Sequence, residues 1–196
     1  MGAIWKHFKT VCKHKWIVFC ECVACGIPWQ GIMHDVSKFS FAEFAPSARY
    51  FQGKKTEESA RKYEIAWLHH KNNNKHHWEW WIDFGENGEP IATKIPTKYV
   101  IEMVCDWIGA GKAYDKKEWT TATPLNYYRM VRKNRYFHKE TETIILFLLQ
   151  TIKDKGLKEF HRICRLCRKN NYYFREKPIE CEQNSSIVEQ EEMRKR

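Results

Sequence analysis

Apolar residues in the first part of the chain recur at helical spacing. Ile4, Phe8, Val11, Val18, Cys22 and Cys25 fall three, four or seven positions apart, which predicts an amphipathic helix over about residues 3–25. His14 lies one turn from both Val11 and Val18, beside the buried stripe, where a solvated histidine is not expected. Gly26 can end this helix, and Pro28 suits the first turn of the next, which is expected to carry His34 and Asp35 to about Ser37. Ser40-Phe-Ala-Glu43 has the spacing of a capping box and predicts a short third helix that ends before Gly53.

Thr56 precedes two first-turn acids, Glu57 and Glu58, and opens a helix with Tyr63, Ala66, Trp67 and His70 on one face. Three consecutive asparagines, Asn72 to Asn74, should stop it, leaving His69-His70 at a helix end and His76-His77 just after the turn. Residues 84–90 read as a polar loop. Pro96 starts a helix whose apolar face is Val100, Met103, Val104 and Trp107, with Asp106 at its edge and Gly109 and Gly111 at its end. Thr123-Pro124 reads as an N-cap and first-turn proline of a helix to about Phe137. A strongly apolar helix follows to Lys155 with Gly156 as its cap, and a last one spans roughly Leu157 to Tyr173. Alternating Val/Ile/Thr runs are missing, so no sheet is expected. The pattern predicts an all-α single domain over residues 1–174 and a charged, disordered tail over residues 175–196.

Composition sharpens this picture in three ways. A chain of 196 residues can bury a core without staples, so eight irregularly placed cysteines read as small buried hydrophobes in a reducing cytoplasm. Residues 16–27 imitate a signal peptide, but Glu21 interrupts the apolar run; no run approaches the roughly 20 residues of a membrane span. A formal charge of +10 beside nine Trp, nine Tyr and eleven Phe favours anionic partners: a small anionic substrate such as a nucleotide ahead of nucleic acid, and no membrane. The stripe Lys158, Arg162, Arg165, Lys169 reads as a solvated face; its alternative is a strip that grips an anion, with Arg129, Arg132, Lys133 and Arg135 as company.

The candidate chemistry is metal binding. Borderline divalent metals in enzymes are held by imidazole and carboxylate with a position left for water or substrate. His14, the adjacent pair His34-Asp35, the doubled histidines around the Asn turn and Asp106 offer such groups from separate helices of a bundle. The spacings Cys20-x-Cys22-x-x-Cys25 and Cys164-x-x-Cys167 invite a zinc reading, but both fall inside continuous predicted helices.

This order of His, then His-Asp, then further histidines, then one Asp on a downstream helix resembles the HD-domain superfamily of metal-dependent phosphohydrolases. The blocks His34-Asp-x-Ser-Lys-Phe-Ser-x-x-Glu-Phe44, Ala66-Trp-Leu-His-His70, Asn74-Lys-His-His-Trp78 and Glu102-Met-x-Cys-Asp-Trp107 look like an uncharacterised bacterial and phage family within it. The resemblance covers about residues 5–113. It implies an HD-domain-like helical bundle in which His14, His34, Asp35 and Asp106 hold a first divalent metal. A second ion would be bridged by Asp35 and held by His70 and His77, with His69 and His76 as close competitors. Mn, Fe, Co, Mg and Zn are not distinguished. Lys38, one turn after Asp35, would stand near the substrate phosphate or a bridging water. The implied reaction is hydrolysis of a nucleotide or related phosphomonoester or phosphodiester by metal-activated water, with Asp35 and Lys38 as the catalytic residues. Two other classes remain open: a non-haem di-iron oxygenase on the same scaffold, and a module that binds nucleotide or nucleic acid without turnover.

Overall fold

The computed structural model describes residues 2–114 and 118–169 of the chain. The described residues form seven α-helices: α1 (Gly2–Cys25), α2 (Pro28–Met33), α3 (Phe41–Gln52), α4 (Glu57–Asn73), α5 (Thr97–Tyr114), α6 (Thr123–Val131) and α7 (Lys139–Lys169). The fold is all-α, as the 3.6-residue pattern predicts. Helix α1 packs against α2, α3, α5 and α7, and α5 and α7 pack on each other. Val18, Cys22 and Cys25 of α1 meet Val100, Val104 and Ile108 of α5 and Ile145, Ile152 and Phe160 of α7 in one core. No helix among the described residues is long and apolar enough to cross a membrane. The expected tail and the end of the last helix near Tyr173 lie outside the described residues.

Several boundaries differ from expectation for identifiable reasons. Helix α2 stops at Met33, so His34 and Asp35 lie in a turn before a 3-10 turn over Val36–Phe39 rather than on a helix. Ser40 is the N-cap of α3 but makes no side-chain cap bond, and the Glu43 side chain is committed to histidines, so the expected capping box does not form. A capping box does form at Thr56, with Ser59 as its partner. Helix α5 runs through Gly109 and Gly111 to Tyr114. Gly109 is a packing residue: a Cβ there would lie 2.4 Å from Val18 Cγ2, so its absence lets α1 and α5 approach. Thr123 is the first residue of α6, and its hydroxyl accepts from the Thr120 N–H.

Helix α6 ends at Val131, short of the expected Phe137, and a 3-10 turn over Arg132–Asn134 follows. Gly156, at φ 78°, kinks α7 where a helix boundary is expected. Of the expected polar loop over residues 84–90, residues 85–89 form the turn of an unexpected two-stranded hairpin, β1 (Ile82–Phe84) with β2 (Pro90–Ala92), and the two ends, Phe84 and Pro90, pair in the strands. Strands of three residues are too short to leave an alternating pattern.

Five of the seven described cysteines (Cys22, Cys25, Cys105, Cys164 and Cys167) are buried, and none of the seven is in a disulfide. Burial pushes the Cys105 and Cys164 thiols well above their usual range. The basic stripe on α7 is in part structural. Arg165 and Arg168 donate to the carbonyls of Ala24 and Gly26, satisfying the carbonyl end of α1, and Arg162 pairs with Glu159.

Candidate metal centre

The site begins at the end of α2. His34 caps the helix, its N–H donating to the Gln30 carbonyl, and Lys15 Nζ donates to the carbonyls of Ile32 and His34 at 2.8 and 2.5 Å. Asp35 follows in the left-handed region, at φ 54° and ψ 24°. It is the one non-glycine residue with positive φ among the described residues. Aspartate tolerates this region better than most residues, but it still costs about 1–2 kcal/mol. The turn leaves the Asp35 side chain only 2 % exposed. Gly31 allows the approach: a Cβ there would lie 2.9 Å from Cys22 Cβ, so α2 sits directly on α1 and brings His34 to His14.

Two donor clusters share the Asp35 carboxylate. On one side, Asp35 Oδ2 lies 3.6 Å from His14 Nε2 and 3.3 Å from His34 Nε2. Asp106 Oδ1, from α5, lies 3.0 and 3.5 Å from the same two nitrogens. On the other side, Asp35 Oδ1 lies 3.4 Å from His70 Nε2 and 3.5 Å from His76 Nε2, with His77 completing the group. Within each cluster the ligand atoms all lie within 4.8 Å of one another.

The donor atoms crowd together with few hydrogen bonds among them. His14 Nε2, His34 Nε2, Asp35 Oδ1, His76 Nε2 and His77 Nε2 are buried, and none makes a hydrogen bond despite the oxygens and nitrogens a few ångströms away. Buried polar atoms left unpaired are expensive, and so many in one place is the signature of a site built for a ligand. Four donors of two nitrogens and two oxygens, and four of three nitrogens and one oxygen, suit borderline divalent cations. The residues present therefore fit one or two metal ions; the identity of the metal is open.

Carboxylates behind the histidines fix their orientation. Glu102 Oε1, on α5, lies 3.2 Å from His34 Nδ1 and 3.1 Å from His76 Nδ1, one from each cluster. Glu43 accepts from His70 Nδ1 and His69 Nδ1, both at 2.8 Å. An Nδ1–H held on a carboxylate leaves the Nε2 lone pair free for a metal and raises its basicity. Asn74 closes the same turn, donating to the His70 carbonyl and to Ser37 Oγ, both at 2.8 Å.

Electrostatics follow from burial and close charges. Burial alone would raise the Asp35 carboxyl, but His34 and Lys38 beside it hold it well below the usual carboxylate range. For Asp106, His14 and His34 likewise overcome burial. The imidazole of His34 is correspondingly pushed well above its ordinary value, and that of His14 is raised. His77 goes the other way: burial, with His76 and His70 nearby, keeps it well below its ordinary value and therefore neutral. Lys38 Nζ lies 2.5 Å from Asp35 Oδ2 with its side chain 28 % exposed, at the edge of the cluster.

The structure brings together His14, His34, Asp35, Asp106, His70 and His77, and puts Lys38 against Asp35. It adds His76, which the sequence leaves as a competitor, so the second cluster has three histidines rather than two. His69 is outside it, 41 % exposed in its side chain and turned to Glu43. Glu102, Glu43 and Asn74 are not read as site residues from the sequence, where Glu43 reads as a capping-box partner and Asn74 as part of a helix stop, although all three lie inside the quoted blocks. The groups with metal-holding geometry among the described residues contain no cysteine, against the zinc reading of the Cys pairs.

No curated protein and no solved structure matches the chain. A family model does match residues 3–151, a span that holds every donor of both clusters, and on that extent the chain belongs to a family of unknown function, DUF5662.

Proposed function

We propose that the protein is a metal-dependent phosphohydrolase of the HD class, acting on a nucleotide or a related phosphomonoester or phosphodiester. The observation that carries this reading is the pair of buried donor clusters facing opposite oxygens of one carboxylate, Asp35. His14, His34, Asp35 and Asp106 would hold one divalent cation, and Asp35, His70, His76 and His77 a second. Divalent cations in such a site lower the pKa of a bound water towards neutrality and neutralise charge building on phosphoryl oxygens.

The chain's own groups supply the rest. Glu102 and Glu43 keep the imidazoles in the ligating tautomer. Lys38, partly exposed beside Asp35, places an ammonium where phosphoryl oxygens gather charge. In the reaction a water oxygen joins phosphorus, the P–O ester bond breaks, and the leaving oxygen takes a proton. His77, kept neutral by burial and its histidine neighbours, offers a lone pair suited to ligating a cation.

The nitrogen-rich second cluster also suits iron, which supports a second reading, oxygen chemistry at a di-iron centre. Protein purified without oxygen, analysed for bound metal, then assayed for phosphate release with Mn, Co, Mg or Fe beside oxygen uptake separates the two. Metal-dependent phosphate release that disappears in Asp35→Ala is the expected result. Oxygen uptake without phosphate release transfers the site to the di-iron reading. Metal content unchanged in the double variant His34→Ala, Asp35→Ala removes both.

A further inference from the structure

A cavity of about 100 Å³ opens beside the second donor cluster. His76, His77 and Asp106 form part of its wall, so anything inside lies against the proposed metal ligands; Trp67, Trp107 and Arg135 supply much of the rest. Arg135 comes from the extended residue that ends the 3-10 turn after α6, remote in sequence from every ligand. Its guanidinium carbon lies 5.4 Å from the ring centroids of both Trp107 and Tyr127, and Nη2 donates to the Tyr127 hydroxyl at 2.9 Å. Two aromatic faces thus hold the planar fork in place.

Among the described residues, Arg135 is paired with no acid. Arg132 pairs with Glu142 and Arg162 with Glu159, whereas the recorded partners of Arg135 are neutral rings and a hydroxyl. Two carboxylates also line the cavity: Asp106, which the first cation would neutralise, and Glu79, whose Oε1 lies 3.5 Å from Lys71 Nζ while its buried Oε2 makes no hydrogen bond. A pre-oriented guanidinium beside a cation site suits bidentate recognition of a phosphoryl group. Size then narrows the ligand. Sites for cofactor-sized or drug-sized molecules run to about 300–1,000 Å³, so this cavity takes a tetrahedral oxyanion and leaves a nucleoside outside.

We infer that this cavity seats the substrate's phosphoryl group with Arg135 as its anion-binding residue, so that the substrate enters phosphate-first with its organic part outside. This rests on the phosphohydrolase reading above. It puts substrate preference in the phosphate head, and predicts tolerance of the organic group outside.

The test is calorimetric titration of inorganic phosphate into the full chain, manganese-loaded and metal-free, for wild type, Arg135→Ala, Arg135→Lys and Lys133→Ala. Lys133→Ala removes an equal charge from an exposed neighbour, and thermal melting checks that each variant folds. Arg135→Ala should weaken phosphate binding about tenfold or more, and Arg135→Lys, which keeps the charge but loses the fork, by about threefold or more. Lys133→Ala should stay within about twofold of wild type. Should the alanine variant fail to fold, the lysine variant decides. Phosphate affinity indifferent to both Arg135 changes, or no phosphate binding to the loaded protein, overturns the assignment. Arg135-dependent phosphate binding without hydrolysis of any ester sustains the pocket and removes the hydrolase reading; hydrolysis indifferent to Arg135 does the reverse.

Discussion

His34 Nδ1 lies 3.2 Å from Glu102 Oε1, and the same oxygen lies 3.1 Å from His76 Nδ1, so one buried carboxylate orients a ligand of each cluster. Glu102 is 6 % exposed, and His34 and His76 hold its carboxyl below the usual range against the effect of burial. One carboxylate behind both clusters would thereby tune both.

Glu102→Gln keeps the shape and removes the charge. Losing such an outer carboxylate weakens metal affinity by about 10–100-fold. Equilibrium dialysis against manganese or cobalt measures it, with circular dichroism to confirm the fold. Affinity equal to wild type would remove Glu102 from the site.

Metal stoichiometry in single variants should follow the geometry. Wild type is expected to bind two ions per chain. Asp35→Ala should lose both, because its two oxygens face different clusters. Asp106→Asn should lose the ion beside His14 and His34, and His77→Ala the other, while His69→Ala keeps both. Elemental analysis after dialysis gives the counts; a full complement in Asp35→Ala would break the shared-carboxylate arrangement.

Much of this was legible in the chain, and the gaps have physical causes. Helix identity follows from long 3.6-residue stripes, which is why α1, α4 and α5 lie close to where Val11, Ala66 and Val104 place them. His34 and Asp35 were expected on a helix because periodicity does not register a left-handed residue; Asp35 at φ 54° is a tertiary requirement. Choosing among His69, His70, His76 and His77 was beyond spacing alone. At the α4 terminus a difference of one residue separates His70, buried at 3 %, from His69, held outside by Glu43. Glu43 reads in sequence as a capping-box partner and Glu102 passes without a role, because an acid serving an imidazole from behind looks in sequence like a cap or a surface charge.

Acid should loosen the junction of three helices at Glu21. Its carboxylate, on α1, meets Lys112 Nζ of α5 at 2.5 Å and His161 Nε2 of α7 at 2.7 Å. Burial would raise the Glu21 carboxyl, but these two partners win and hold it below its ordinary value. A depressed folded-state pKa means the proton binds the unfolded chain more readily. The stabilisation is therefore full above the unfolded-state pKa of about 4.3 and is lost as pH falls through the lower folded value. At neutral pH Glu21→Gln should be less stable by about 1.5–3 kcal/mol, the range for hydrogen bonds to a charged group. The gap to wild type should close as pH falls below about 4.3. Urea melts of both proteins at several pH values measure the difference, which cancels the carboxylates they share. A gap independent of pH would mean that the Glu21 charge contributes nothing.

The contact between Val18 and Gly109 sets how closely α1 can approach α5, and thus how His14 meets Asp106. Alanine at position 109 gains about 0.8–1.0 kcal/mol of helix propensity over glycine. Its Cβ, however, would lie 2.4 Å from Val18 Cγ2 and 3.5 Å from the Val18 backbone nitrogen, in a place where Val18 is fully buried. Overpacking of this kind costs about 1–3 kcal/mol, so packing should outweigh propensity. Gly109→Ala is expected to be less stable than wild type, and to bind the ion beside His14 more weakly because the two helices are pushed apart. Val18→Ala removes the clashing methyls, so the double variant should recover part of the loss, a coupling that separate sites would not show. Denaturant melts of the four proteins complete the cycle. A Gly109→Ala variant as stable as wild type, or losses that simply add, would show that the α1–α5 contact is not limited at this point.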